Sequence, residues 1–237
     1  MTYVRSWRII FGNVDSRKVK LAHVHAAVSR VLDTKHWSNN KPWSIGMVKN
    51  EGSGVASLRI STVGDAPADA VVATFYPGQQ LRFGAQEAMV LFPPRLEAEI
   101  DESGLCAIPA WVTVGVRFCT PTTFRVGSKT TPLPDPTRVF HSLSSRWEKT
   151  FGHRLVDDRE EERRDILPAA WVRDINGRNK VFNLGGKLTV SGFVGEMSYE
   201  FGSEKASQVF CSLLGLAGFI GLGSYTTRGL GSIELLD

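Results

Sequence analysis

No stretch of this sequence is long and apolar enough to cross a bilayer. The longest nearly apolar run, Leu213 to Gly223, has eleven residues, against about 20 for a spanning helix. Cysteine is scarce: Cys106, Cys119 and Cys211 are odd in number and widely spaced, which leaves no disulfide framework and no CxxC pair. Arg5 and Arg8 stand where a signal peptide needs its apolar stretch. These absences point to a cytoplasmic protein with no membrane partner. A phosphate loop is missing too, since Gly186-Lys187 is followed by Leu188 rather than Ser or Thr. No plausible metal cluster is present, and no cofactor is expected. The formal net charge of +4 is too small by itself to demand a polyanion partner.

The charges are nevertheless unevenly placed. Residues 1–59 hold ten basic and three acidic side chains, residues 60–105 two and seven, and residues 117–154 seven and two. Two basic segments around an acidic one can fold into a positive groove that suits nucleic acid, or can lie beside it and cancel. The 237 residues suffice for one large domain or two compact ones.

Hydrophobic periodicity is clearest in the second half. Ala110 to Phe118 alternates and is rich in β-branched residues, as a strand does. Asp135-Pro136 is a cap followed by proline at the first helical position, and Val139, Phe140, Leu143 and Trp147 then share a helical face. Asp157 to Asp165 reads as a solvated connection, and strands are expected at Ala169–Ile175 and Lys187–Phe201. Ser203 starts a helix that Gly221 ends, and Ser232–Leu236 forms a last strand. The order β-α-β-β-α-β is that of the ferredoxin-like fold. The first half starts alike, with Trp7, Ile9 and Phe11 inward on a strand and Leu21, Val24, Val28, Val31 and Leu32 on a helix. Val55–Val63 and Val71–Tyr76 then look like a hairpin of strands, and Gly84–Val90 is at best a short second helix. The expected architecture is α+β: two ferredoxin-like domains in tandem, residues 1–104 and 105–237, the first degenerate.

The most specific local feature is Gly221-Leu-Gly-Ser-Tyr-Thr-Thr-Arg-Gly-Leu-Gly231. It follows a helix and opens a strand, the reverse of a dinucleotide fingerprint. A helix stop with a tight turn accounts for one or two of its four glycines; close approach of backbone to a ligand accounts for all of them.

Phe219 to Ile233 resembles the C-terminal glycine-rich signature of the RAMP superfamily of CRISPR-associated proteins. Thr120-Pro-Thr-Thr-Phe124, Phe140 to Trp147 and Ser191-Gly-Phe-Val-Gly195 stand in the order found in its repeat-processing endoribonucleases. The resemblance covers residues 110–236 well and the first domain loosely. It implies metal-independent cleavage of CRISPR precursor RNA within repeats by 2′-hydroxyl attack, leaving a cyclic phosphate and a 5′-hydroxyl. It also implies CRISPR repeat RNA as a partner, and it admits other subunits of an effector complex or a second copy of the chain.

That chemistry needs an acid, a base and a cation. The family places its histidine in or just after the first helix, often with a lysine downstream, and His36 with Lys41 matches. His23 and His25 lie about 200° apart on the helix; His25 borders the apolar face, and His23 points away from it into solvent. His141 and His153 read as surface residues. Several relatives add a tyrosine near the first helix, but none stands between Tyr3 and Tyr76; Tyr225 is the substitute if the loop packs there. Candidate RNA contacts are Arg125, Lys129, Arg138 and Arg146, with Gly221, Gly223, Thr226, Thr227, Arg228, Gly229 and Gly231 of the loop. A non-catalytic RAMP subunit that grips the repeat-derived part of a guide RNA is the alternative.

Overall fold

A computed structural model describes residues 1–33, 41–185 and 188–236. The chain divides into two compact units, residues 1–100 with 227–229, and residues 101–226 with 230–237.

The first unit begins with β1 (Val4–Gly12), α1 (Leu21–Leu32), β2 (Trp43–Gly52) and β3 (Val55–Val63). It continues with α2 (Asp65–Thr74), β4 (Gln80–Phe83), β5 (Gln86–Val90) and β6 (Arg95–Ile100). Its sheet runs β2-β3-β1-β5-β4, with β6 also on β1. β1 shares its edge between two strands: β6 pairs with its first half and β5 with Phe11 and Gly12. Trp7, Ile9 and Phe11 point into the core with Val24, Ala27, Val28 and Leu32 of α1, as their spacing predicts.

Three expectations for this unit need correction. The hairpin joins β3 to β2, not to residues 71–76. Val71–Tyr76 instead covers the end of α2 and the residues after it. Gly64, at φ 81°, turns the chain into α2, and Pro67 sits in the first turn, where amides have no intrahelical partner to lose. Alanines then carry the helix despite the Val71-Val72 pair. The expected short helix at Gly84–Val90 is largely strand β5, paired with β4. The unit therefore has both helices of its fold, and what departs from the regular order is the inserted β4–β5 hairpin.

The second unit comprises α3 (Glu102–Cys106), β7 (Thr113–Thr122), β8 (Phe124–Val126), β9 (Lys129–Thr131) and α4 (Pro136–Phe151). One helical turn, α5 (Arg159–Glu161), precedes β10 (Ala170–Asn183), β11 (Thr189–Phe201), α6 (Glu204–Ile220) and β12 (Ile233–Leu236). The sheet order β10-β11-β7-β12 is the ferredoxin-like one, with α4 and α6 as its two crossover helices. Both helix starts follow their sequence signals. The Asp135 carboxylate accepts from the amide of Arg138 and the Ser203 hydroxyl from that of Ala206, each cap being worth about 1 kcal/mol. Gly221, at φ 79°, ends α6.

The run Asp157–Asp165 is more than a solvated connection. After α5 the chain makes a π-helical turn, Glu162–Ile166, which buries Glu162 to 5% exposure. Arg154 donates to its carboxylate at 2.9 Å, and His141 Nδ1 lies 3.4 Å from it.

Candidate functional site

Outside residues 227–229, which belong to the first unit, the glycine-rich loop is built from the second unit's own contacts. Gly221, Gly223, Gly229 and Gly231 all adopt φ between 71° and 83°, a region only glycine enters without strain. A Cβ on Gly231 would overlap the carbonyl of Leu222, and one on Gly223 that of Thr123. A Cβ on Gly229 would come within 2.9 Å of Leu21. The close approach that the four glycines permit is thus to this chain's own backbone and side chains.

The loop's amides are engaged in the same way. Leu222 donates to Gly231, Ser224 to Thr123 and Gly231 to Pro121, at 2.7–3.1 Å. Gly223 donates to the Ser142 hydroxyl, and Ser232 to that of Thr120. Gly192 packs against Pro121 and Thr122 with no room for a side chain. Segments 120–124 and 191–195 and loop residues 219–226 and 230–233, far apart in sequence, form one structure within the second unit. The expectation that the loop's backbone cradles phosphates is corrected at these amides; the side chains of Ser224, Tyr225, Thr227 and Arg228 remain partly exposed.

Arg146 belongs to this structure. Its Nη2 donates to the Gly223 carbonyl at 2.5 Å and to the Thr226 hydroxyl at 3.2 Å, while burial pulls its pKa down to about 10, so it stays charged at neutral pH. Arg138 pairs with Asp135 at the start of α4. Arg125 and Lys129 are exposed on the β8–β9 hairpin.

The candidate catalytic residues belong to the first unit. His36 lies outside the described residues; Lys41 lies within them. Asp33, the C-terminal cap of α1, has a side chain only 3% exposed. It pairs with Lys41 and accepts from Trp43 Nε1 at 2.8 Å. The Lys41 ammonium also lies 5.3 Å from the Trp43 ring centre, a cation–π distance. His25 stands beside this group, its ring 5.8 Å from that of Trp43. Its Nδ1 lies 2.7 Å from the Thr227 carbonyl, which fixes a proton on Nδ1 and leaves Nε2 as the acceptor. Burial holds its pKa below the ordinary value; the Thr227 bond opposes that, and Lys41 and Arg228 add to it. His25 is therefore neutral at neutral pH and does more than pack.

His23 departs from the solvated position expected of it. It is half-buried against Gly84 at the β4–β5 turn, and its Nδ1 is buried without a hydrogen-bond partner among the described residues. The inserted hairpin, which periodicity did not reveal, covers that side of α1. His141 and His153 are exposed, and His153 lies 2.9 Å from Glu102. Among the described residues no three His, Cys, Asp or Glu side chains are grouped to hold a metal ion, and no helix is long and apolar enough to cross a membrane.

Residues 116–233 match the family model described as CRISPR-associated endoribonuclease Cas6. The chain belongs to the Cas6 family. Solved Cas6 structures match along the whole chain. A product complex of Cas6 (TTHA0078) has 20% identity and a TM-score of 0.84, covering 99% of this chain and 100% of its own. A substrate mimic complex of that protein gives 20% and 0.81, with 99% of each chain covered. Thermus thermophilus Cas6 (TTHB231) gives 22% and 0.74, with 100% of this chain and 99% of its own covered. These likenesses establish the tandem ferredoxin-like fold. No curated protein sequence matches significantly. As a Cas6 protein the chain is a repeat-processing endoribonuclease of the RAMP type.

Proposed function

We propose that this Cas6 protein cleaves CRISPR precursor RNA within its repeats by attack of the 2′-hydroxyl on the adjacent phosphate, with no metal ion. The product ends are a cyclic phosphate and a 5′-hydroxyl. His36 exchanges a proton with the attacking or leaving oxygen, and Lys41 stabilises charge developing on the phosphate. The observation that carries this reading is the group at the end of α1: Asp33 and Lys41, which bracket the His36 segment in sequence, are ion-paired beside Trp43 and His25. In sequence, His36 follows Asp33 by three positions and precedes Lys41 by five. A histidine-to-alanine variant and product and substrate mimic complexes are recorded for Cas6 (TTHA0078), consistent with the same roles here.

RNA is gripped by Arg125 and Lys129 and by the side chains of Thr227 and Arg228, while Arg138, Arg146, Thr226 and the four glycines hold the surfaces that carry them. Residues 1–104 supply the chemistry and residues 105–237 most of the grip. The protein works in the cytoplasm, and effector subunits or a second copy are further partners it would accommodate. One observation favours the rival reading of a non-catalytic guide-binding subunit: Lys41 already has a carboxylate partner. Cognate repeat RNA incubated with the protein in excess EDTA decides between them. Cleavage to a cyclic phosphate supports the enzyme; tight binding without cleavage supports the subunit.

A further inference from the structure

Strand β6 of the first unit is exposed on both of its faces. Arg95 through Glu99 are all exposed, and β1 is the strand's one partner among the described residues. Its outer edge therefore presents unpaired amides and carbonyls, the template on which a further strand can add. Helix α2 lies alongside. Arg5 binds both Asp65 at the start of α2 and Glu99 near the end of β6. Past the other end of α2, the Gly78 amide donates to the Val90 carbonyl at 2.8 Å, and the Val90 amide to the Gln79 carbonyl at 2.9 Å. Two residues beyond this pairing stand Tyr76 on one side and Phe92 on the other. α2 and residues 92–99 thus run antiparallel, tied near both ends.

Four large apolar side chains sit along this margin: Val72 and Tyr76 at the end of α2, and Phe92 and Leu96 on the other segment, each 44–57% exposed. Leu96 pairs with Trp7, so it points to the side of the sheet on which Trp7 meets α1. Exposed apolar residues are ordinary singly; four on two adjoining segments make a patch of the kind that marks a binding surface. The charges around the patch are mostly of one sign, as residues 60–105 hold two basic and seven acidic side chains. Asp65 and Glu99 share the single guanidinium of Arg5, and Glu97 shares that of Arg8 with Glu51. Asp69 is exposed on α2 one turn before Val72.

These features select the occupant. Carboxylates repel RNA. A second copy adding its own β6 would bring Glu97 and Glu99 against their counterparts, and like charges facing across a strand pair destabilise it. From this arrangement we infer that the margin formed by β6 and α2 docks a protein partner through an extended, basic segment with apolar side chains at alternate positions. The segment adds as a strand to the free edge of β6. Its apolar side chains cover Val72, Tyr76, Phe92 and Leu96, and its cations meet the carboxylates around them. The inference does not depend on the RNA-cleaving function proposed above.

The probe is a synthetic library of peptides of about eight residues, an ordinary strand length, that alternate lysine or arginine with an apolar residue. One control library carries glutamate in place of the basic residues; a second keeps the composition but orders it with a helical period. The full-length chain should prefer the alternating basic peptides. The tightest binder is then titrated by fluorescence anisotropy against wild type, Phe92→Ser/Leu96→Ser, Asp69→Lys and Val112→Ser, an exposed apolar residue of the second unit. Circular dichroism and thermal melting confirm that each variant is folded. Phe92→Ser/Leu96→Ser should bind about 10–100-fold more weakly, since two large apolar contacts are lost. Asp69→Lys should bind about 3–10-fold more weakly, with a difference that shrinks as salt rises. Val112→Ser should match wild type, and repeat-RNA affinity should stay unchanged in Phe92→Ser/Leu96→Ser. No binding of the alternating basic library by wild type overturns the inference, as does preference for either control library or wild-type affinity in the folded Phe92→Ser/Leu96→Ser protein. Light scattering that shows a wild-type dimer and a Phe92→Ser/Leu96→Ser monomer assigns the patch to a second copy and overturns it too.

Discussion

At the residue scale, the buried carboxylate of Asp33 is the group on which the candidate active site turns. It accepts from Lys41 and from Trp43 Nε1, so Asp33→Asn removes its charge while keeping a carbonyl for the indole. The expected outcome is a fall in single-turnover rate larger than any fall in RNA affinity, because the lysine loses its anchor while the protein loses one negative charge. Asp33→Glu should restore part of the rate; equal loss of rate and affinity in a folded Asp33→Asn protein would argue against a positioning role. His25 gives a second prediction. Its pKa is lowered in the folded protein, chiefly by burial, so between that value and about 6.5 the unfolded chain binds more protons. Its stabilising contribution is present above about pH 6.5 and is lost as pH falls through the folded value. Melting temperature should therefore drop less between pH 7.5 and 5 in His25→Gln than in wild type, and parallel curves would exclude the effect. The geometry of neither residue was legible in the sequence. Asp33 gave no periodic signal, and the Thr227 carbonyl that orients His25 lies 202 residues away.

At the element scale, local signals were decisive wherever the chain carried them. Asp135-Pro136, Ser203 and Gly221 fixed the ends of α4 and α6, and alternation located β1 and β7. α2 was missed because Val71, Val72 and Tyr76 favour strands, while the helix depends on alanines and on Pro67 in its first turn. The glycine-rich loop was located correctly but its chemistry was misjudged, because Thr120 to Thr123, which meet it, stand some hundred residues upstream. This correction makes a prediction. Gly231→Ala should destabilise by about 2–4 kcal/mol, since a backbone clash adds to the left-handed strain. Gly152→Ala, at φ 86° with open space around it, should lose only about 1–2 kcal/mol. Equal costs in denaturant unfolding would mean that the loop gives way easily and is not the rigid structure described.

At the scale of the whole molecule, the chain commits four glycines and the half-buried Arg146 to holding one loop. The ferredoxin-like order was readable because its second half repeats that order with clear caps; the full complement of the first unit was hidden by the inserted β4–β5 hairpin. The central claim is that this Cas6 protein cuts repeat RNA with its own side chains, His36 foremost. The most direct measurement is single-turnover cleavage of the cognate repeat RNA in excess EDTA by wild type and by His36→Ala. Wild type should cut, leaving a cyclic phosphate, and His36→Ala should be slower by ~10²–10⁴-fold. Cleavage that stops in EDTA, or a folded His36→Ala protein cutting at the wild-type rate, would contradict the account.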